Sequence, residues 1–185
     1  DVLAGIPSVV YGVWGVLAVV PFVSGYLAPA FGATTTGYSL LAGGIVLAVM
    51  VIPYTLNMLI EVFDSIPVEL KEASLSVGAT YWETIKWVLV RKGRSGIAAA
   101  LGLGVSKALG ETIAVLMVVG NVPQVPHSVF QPAYPLAALI ANNYGDMMSA
   151  PSYEAALMTS ALVLFLIIVL FNILSNLVIY RRHED

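Results

Sequence analysis

The chain has 185 residues, 59% of them hydrophobic and 10% charged, with a mean hydropathy of +0.90 and a formal net charge of −3. A soluble domain carries about a quarter charged residues, so this composition places the chain in a membrane and excludes a water-soluble globular domain. It contains no cysteine, which excludes disulfides and thiolate metal sites.

An apolar run begins immediately after Asp1, with no initiator Met, basic n-region or small-residue cleavage site. The chain is therefore expected to begin inside a longer protein, with at least one segment upstream. Four stretches reach the roughly 20 apolar residues that a membrane span needs. The first is 2–23, with Pro7 and Pro21 inside it; the second is 39–60, which Pro53 is expected to kink. The third is 96–119 and the fourth, the most uniformly apolar, is 155–180. Proline and glycine within spans are tolerated where neighbouring helices satisfy the freed backbone groups. The predicted fold is thus an all-α integral membrane protein with four transmembrane helices.

Basic residues fix the expected orientation. Lys71, Lys86, Arg91, Lys92 and Arg94 lie between spans two and three, and Arg181 and Arg182 follow span four. The loops 24–38 and 120–154 contain no Lys or Arg. The positive-inside rule then places the loop 66–94 and the C-terminus in the cytoplasm. In the outer loop, Pro123, Pro126, Pro132 and Pro135 precede "PLAALIANNYG", a short apolar helical pattern ending at Gly145. It is expected to lie across the outer mouth of the bundle.

Two short helices are readable in the loop 66–94. Pro67 suits a first helical turn, where its missing N–H costs nothing, and Glu69 complements the helix dipole there. Gly78 can take the positive φ that ends this helix near Val77. Thr80 and Glu83 form a capping box that starts a second helix, on which Trp82, Ile85 and Leu89 share a face. Glu72, Ser76 and Lys86 leave polar surface. Two readings stay open: an amphipathic pair lying on the headgroups, or a rigid element that inserts into a groove on a soluble partner.

Span three holds two charges. Lys107 lies about eleven residues in, roughly 16 Å along a helix and near the centre of a ~30 Å hydrocarbon core. Glu111 follows at i,i+4 and is expected on the same face. Either charge would cost at least ~2.5 kcal/mol facing lipid. They are read as an internal ion pair, as a polar lining that helps an anion pass, or as both. Ala98, Ala99, Ala100, Gly102 and Gly104 crowd the same span and predict close helix packing. Asn57 and Glu61 share a face at the cytoplasmic end of span two, where Glu61 meets the interface or contributes to an inner gate. His127 is alone in the outer loop and His183 is in the tail; no convergent set of ligands is visible, so no metal site is expected. There is no G-x-x-x-x-G-K-[ST] phosphate loop, so any ATP-driven motor would be another chain.

Two stretches resemble a known family. "EASLSVGA" followed by "IKWVLV" resembles the EAA loop of ABC-importer permeases of the binding-protein-dependent, MetI-like class. That pattern is Glu-Ala-Ala, three residues, Gly, nine residues, then an apolar residue two before Leu-Pro. Here Glu72, Ala73, Ser74, Gly78, Val88 and Val90 hold those places; Ser74 stands for the second Ala and Arg91 for the Pro. The resemblance implies a coupling helix that fits a cleft on an ATPase subunit, with Glu72, Ala73, Gly78 and Ala79 as its coupling residues.

"SKALGETIAVLMVVGN" resembles the R-A-[IL]-G-E-T stretch of the phosphate-importer permease families PstC and PstA. Its tail, with the opening "LAGIPSVVYGVWG", is more similar to the PstC family. Lys107 stands where that family usually has Arg; it keeps the charge and loses the planar fork. The resemblance covers 3–182 and implies a six-helix permease core, four of whose helices fall in this chain. It further implies a substrate pathway through Lys107, Glu111 and Thr112, and alternating-access transport of inorganic phosphate, with sulfate or molybdate as the alternative cargo. The implied partners are a second, PstA-like permease, a dimer of ATPase subunits that bind ATP and Mg, and an extracytoplasmic phosphate-binding protein. No catalysis, cofactor or nucleic acid is implied for this chain itself. Two competing classes are an ion-coupled carrier or channel with Lys107 and Glu111 as a relay, and a non-transporting membrane subunit. A carrier has no need of a docking loop, and a purely structural subunit leaves the midplane charges without a transport role.

Overall fold

The computed structural model describes residues 5–147 and 151–181, with side chains through 145 and over 151–173. Val2 and Leu3, at the expected start of span one, and Arg182 and His183 of the tail lie outside the described residues.

Helix α1 (Ser8–Ala30) is a 23-residue rod that starts and ends later than the expected 2–23. Pro7 is its N-cap rather than an interior residue, with φ −58° and ψ 141°. Two π-helical turns, Gly15–Val19 and Val23–Leu27, each end two residues before a proline, Pro21 and Pro29. Proline cannot donate to the carbonyl four residues back and its ring clashes with it. A widened turn just upstream lets the helix continue past this obstacle. The rod stops at Gly32, φ +68°, where Gly32 N–H donates to Pro29 O and Ala33 N–H to Ala28 O. These bonds form a Schellman end.

Helix α2 (Leu40–Asp64) runs 25 residues, roughly 37 Å, and stays helical across Pro53, ending four residues beyond the expected boundary. Ser39 and Ala42 at its N-terminus are buried, so the orphan N–H groups there need partners. Ser39 Oγ accepts from Ala42 N–H at 3.2 Å. The remote segment 129–131 supplies two more acceptors: Leu40 N–H donates to Gln131 O (2.9 Å) and Leu41 N–H to Val129 O (2.8 Å). The proline-punctuated loop is thereby tied to the start of α2.

Helix α3 (Val68–Ser76) ends as expected at Gly78, φ +88°. The capping box is also present: Glu83 N–H donates to Thr80 Oγ1 at 3.3 Å, and Thr80 N–H to Glu83 Oε2 at 2.8 Å. The helix begun at Tyr81 does not stop before the next span. Tyr81–Glu83, the π-helical Thr84–Leu89 and Val90–Gly110 run on as α4. Arg91, standing at the proline position of the family pattern, keeps the N–H that continuation requires.

The expected third span, 96–119, is divided. α4 ends at Gly110, Glu111 is extended at ψ 124°, and a short helix α5 (Ile113–Val118) follows. Helix α6 (Leu136–Met147) covers the expected "PLAALIANNYG" helix. Helix α7 (Pro151–Arg181) contains the fourth span. Exposed Leu162, Phe165, Leu166 and Leu170 show a surface suited to lipid. Three of these helices, α1, α2 and α7 over Pro151–Ile173, are long and apolar enough to cross a membrane among the described residues.

The core lies at the basic-free end, where α1, α2 and α5 bury Val19, Val20, Val23, Val46, Ala114 and Val118. Close approach of α1 depends on Gly15, whose missing Cβ would sit 2.7 Å from both Val118 and Val46. Helix α4 packs along α2 through glycine: Gly93 and Gly96 against Val62, and Gly104 against Thr55. Of the small residues expected to pack, Ala100 and Gly104 are buried, whereas Ala98, Ala99 and Gly102 are half-buried. Helix α7 packs on α4 and α6, with Ser106 Oγ donating to Asn172 Oδ1 at 2.8 Å.

Two outcomes are expected. Gly15→Ala overpacks the core and lowers the thermal midpoint of the detergent-solubilised protein, at a cost of about 1–3 kcal/mol. Gly44→Ala, with nothing within 4 Å of the new carbon, leaves it unchanged. Thr80→Ala speeds amide exchange over 83–85 several-fold. In the wild type, hydrogen bonds from Thr80 N–H and then Oγ1 hold the Glu83 carboxylate below its ordinary range. A depressed folded-state value stabilises above the unfolded value. Protection is therefore full at neutral pH and falls as acidification passes through the lowered value.

Candidate functional site

The two charges of the expected third span do not form the expected pair. Because α4 stops at Gly110, Glu111 does not continue the i,i+4 face from Lys107, and no ion pair joins the two. Glu111 Oε1 instead accepts from Ala114 N–H at 3.3 Å, and Thr112 Oγ1 donates to Gly110 O at 3.3 Å. The side chains of the G-E-T stretch thus satisfy backbone groups that the break frees, the local competition that lets polar side chains end helices.

Lys107 turns to α2. Its Nζ lies 4.0 Å from the centre of the Tyr54 ring. A cation over an aromatic face gains about 2 kcal/mol when desolvated, slightly less than the ~2.5–3.5 kcal/mol cost of a cation at the bilayer centre. The ring alone does not balance burial, and Lys107 is accordingly only half-buried. It is the only Lys or Arg between Arg94 and Arg181. Glu111, just past the break, borders a cavity of about 380 Å³ between α2, the last turn of α4, α5, α6 and α7, lined otherwise by apolar residues and backbone and not by Lys107. Lys107, Glu111 and Thr112 are therefore adjacent along the chain but serve different surroundings.

In the loop at the basic end, Glu72, Ala73 and Gly78 are exposed and Ala79 is half-buried. Trp82 is 69% exposed and Ile85 41%, so these apolar residues of the second helix stay on the surface, as both readings of the loop have it. The buried residue is Thr84, at 1% exposure, whose Oγ1 lies 2.9 Å from Ser74 Oγ. The residue that departs from Glu-Ala-Ala thus clamps α3 to α4. Lys71 and Lys86 lie over the rings of Tyr81 and Trp87. Glu61 is exposed and Asn57 half-buried at the end of α2.

Sequence reasoning missed Tyr54, Thr84, Ser106 and Asn172. A polar residue deep in an apolar span signals an internal partner, and Asn172 carried that signal. Nothing in the sequence marked Tyr54 as the partner of Lys107, or Thr84 as buried.

The sequence profile of the family described as binding-protein-dependent transport system inner membrane component matches residues 1–182. The phosphate transport system permease protein PstC of Haemophilus influenzae is 34% identical, over all of this chain and 62% of that protein. A probable ABC transporter permease protein of Bacillus subtilis, YqgH, is 38% identical over 98% of this chain and 57% of its own length. A probable PstC of Methanocaldococcus jannaschii is 34% identical over all of this chain. The chain spans about three-fifths of the length of the curated relatives it matches. A solved inward-facing structure of the MetNI methionine ABC transporter has the same fold, with a TM-score of 0.69 at 21% identity over 97% of this chain and 70% of that one.

Removing the Tyr54 ring should uncover Lys107. Tyr54→Leu is expected to speed modification of Lys107 by a water-soluble amine reagent several-fold, while Tyr54→Phe leaves the rate near wild type. Equal rates in all three proteins would contradict the cation–π contact.

Proposed function

The chain belongs to the family of binding-protein-dependent transport system inner membrane components, and from that membership we propose that it is a permease subunit of an ATP-driven importer of inorganic phosphate. The observation that carries the cargo is Lys107, a single half-buried cation deep among apolar helices and held by a ring rather than by a carboxylate. An anion entering from the basic-free face meets a positive charge that is paired with no carboxylate among the described residues. The named function of the PstC relatives supports phosphate among the oxyanions.

In this reading the loop 66–94 and the C-terminus face the cytoplasm, following the charge asymmetry. Glu72, Ala73, Gly78 and Ala79 dock on an ATPase subunit, where ATP and Mg are bound; this chain performs no catalysis of its own. A second, PstA-like permease completes the pathway, and an extracytoplasmic phosphate-binding protein delivers the anion. ATP binding draws the coupling loops together and opens the pathway outward; hydrolysis reverses the motion. Lys107, with Glu111 and Thr112 at the helix break beside it, lines the route.

The test is labelled-phosphate uptake in cells without their own phosphate importers, expressing the complete gene with its neighbouring subunits. Uptake is expected to need ATP and to be suppressed by unlabelled phosphate but not by sulfate or molybdate. Suppression by sulfate or molybdate would move the cargo. Lys107→Gln should slow uptake at least about tenfold in an assembled complex, since a lost charge-assisted contact is worth about 1.5–3 kcal/mol. Glu72→Lys should insert normally and fail to couple ATP hydrolysis to transport; normal uptake by that variant would sink the docking role.

A further inference from the structure

An open groove of about 400 Å³ lies where α3 meets α4, lined by Leu70, Trp87, Arg91, Lys92, Arg94 and Ser95 among others. Among the described residues, its lining holds three cationic side chains, of which Arg91 and Lys92 are exposed, and no carboxylate. We infer that this groove is a binding site for the phosphodiester headgroup of an anionic phospholipid.

Position along the helix supports this occupant. Arg91, Lys92 and Arg94 precede Lys107 by 13 to 16 residues on the same continuous helix, roughly 20–24 Å along its axis. With Lys107 near the bilayer centre, that distance passes the ~15 Å half-thickness of the hydrocarbon core and reaches the headgroups; a modest tilt brings it further in. The first apolar turns of the span begin at once after Ser95.

The chemistry of the lining supports it as well. Arginine presents planar donors that match phosphate oxygens, and basic pockets beside transmembrane helices suit anionic headgroups. The groove lies beside the helix pair proposed to dock the ATPase, so the lipid would brace that loop from the membrane side.

The test is native mass spectrometry of the complete importer complex, delipidated and offered phosphatidylglycerol or phosphatidylcholine with the same acyl chains. The wild type should retain phosphatidylglycerol on the order of tenfold more strongly. The triple variant Arg91→Gln, Lys92→Gln and Arg94→Gln should bring the two lipids close to parity, whereas Arg91→Lys with Arg94→Lys keeps most of the preference. Should the triple variant not assemble, the wild-type and lysine arms decide. Equal retention of the two lipids by the wild type overturns the inference. Displacement of phosphatidylglycerol by millimolar inorganic phosphate would assign the groove to the free anion. Loss of the ATPase subunits from the triple variant with phosphatidylglycerol retained would assign it to a protein interface.

Discussion

In a bilayer core, each backbone N–H and C=O must find its partner within the protein, because no water is there to substitute. This chain breaks regular helix at several places inside its spans, and each break is answered locally. Widened turns precede Pro21 and Pro29 in α1. The segment 129–131 supplies acceptors to the start of α2. At Gly110 the answer comes from Glu111 and Thr112 themselves. That last answer has a consequence four residues away. Glu111 accepts a backbone N–H and sits off the helix, so Lys107 is left to the face of Tyr54.

On the proposed function, α4 links the two ends of the mechanism. It runs without interruption from the capping box at Thr80 to the break at Gly110, roughly 45 Å. A rigid helix carries displacement from one end to the other without a chain of side-chain rearrangements. The clamp between Ser74 and buried Thr84 fixes α3 to its lower end, and the packing of Gly93, Gly96 and Gly104 on α2 allows a close, smooth contact along its length. Movement of the docking loop would thus shift Lys107 relative to Tyr54 on α2.

The all-helical membrane architecture, the Gly78 stop, the Thr80–Glu83 box and the short helix after Pro135 were legible because each depends on local chemistry: hydropathy, positive φ, or a cap. The errors were of a different kind. Pro7 was read as interior because apolar composition does not distinguish a cap from a helix. Thr84 is buried within the π-helical turn 84–89, which no local pattern in the sequence announces. The pairing of Lys107 with Glu111 assumed an unbroken helix, and the glycine at 110 was a weaker signal than the hydropathy around it. Tyr54 was invisible because its role depends on which turn of α2 lies beside α4, and only packing decides that.

The proposed role of Lys107 requires that it be free of Glu111. A double-mutant cycle in the assembled complex tests this most directly, with Lys107→Gln, Glu111→Gln and the double variant followed by thermal unfolding. The account predicts that the two single effects add within about 0.5 kcal/mol, as for residues that do not interact. A coupling energy well above 1 kcal/mol would show that the charges hold each other, and would return Lys107 to a structural ion pair.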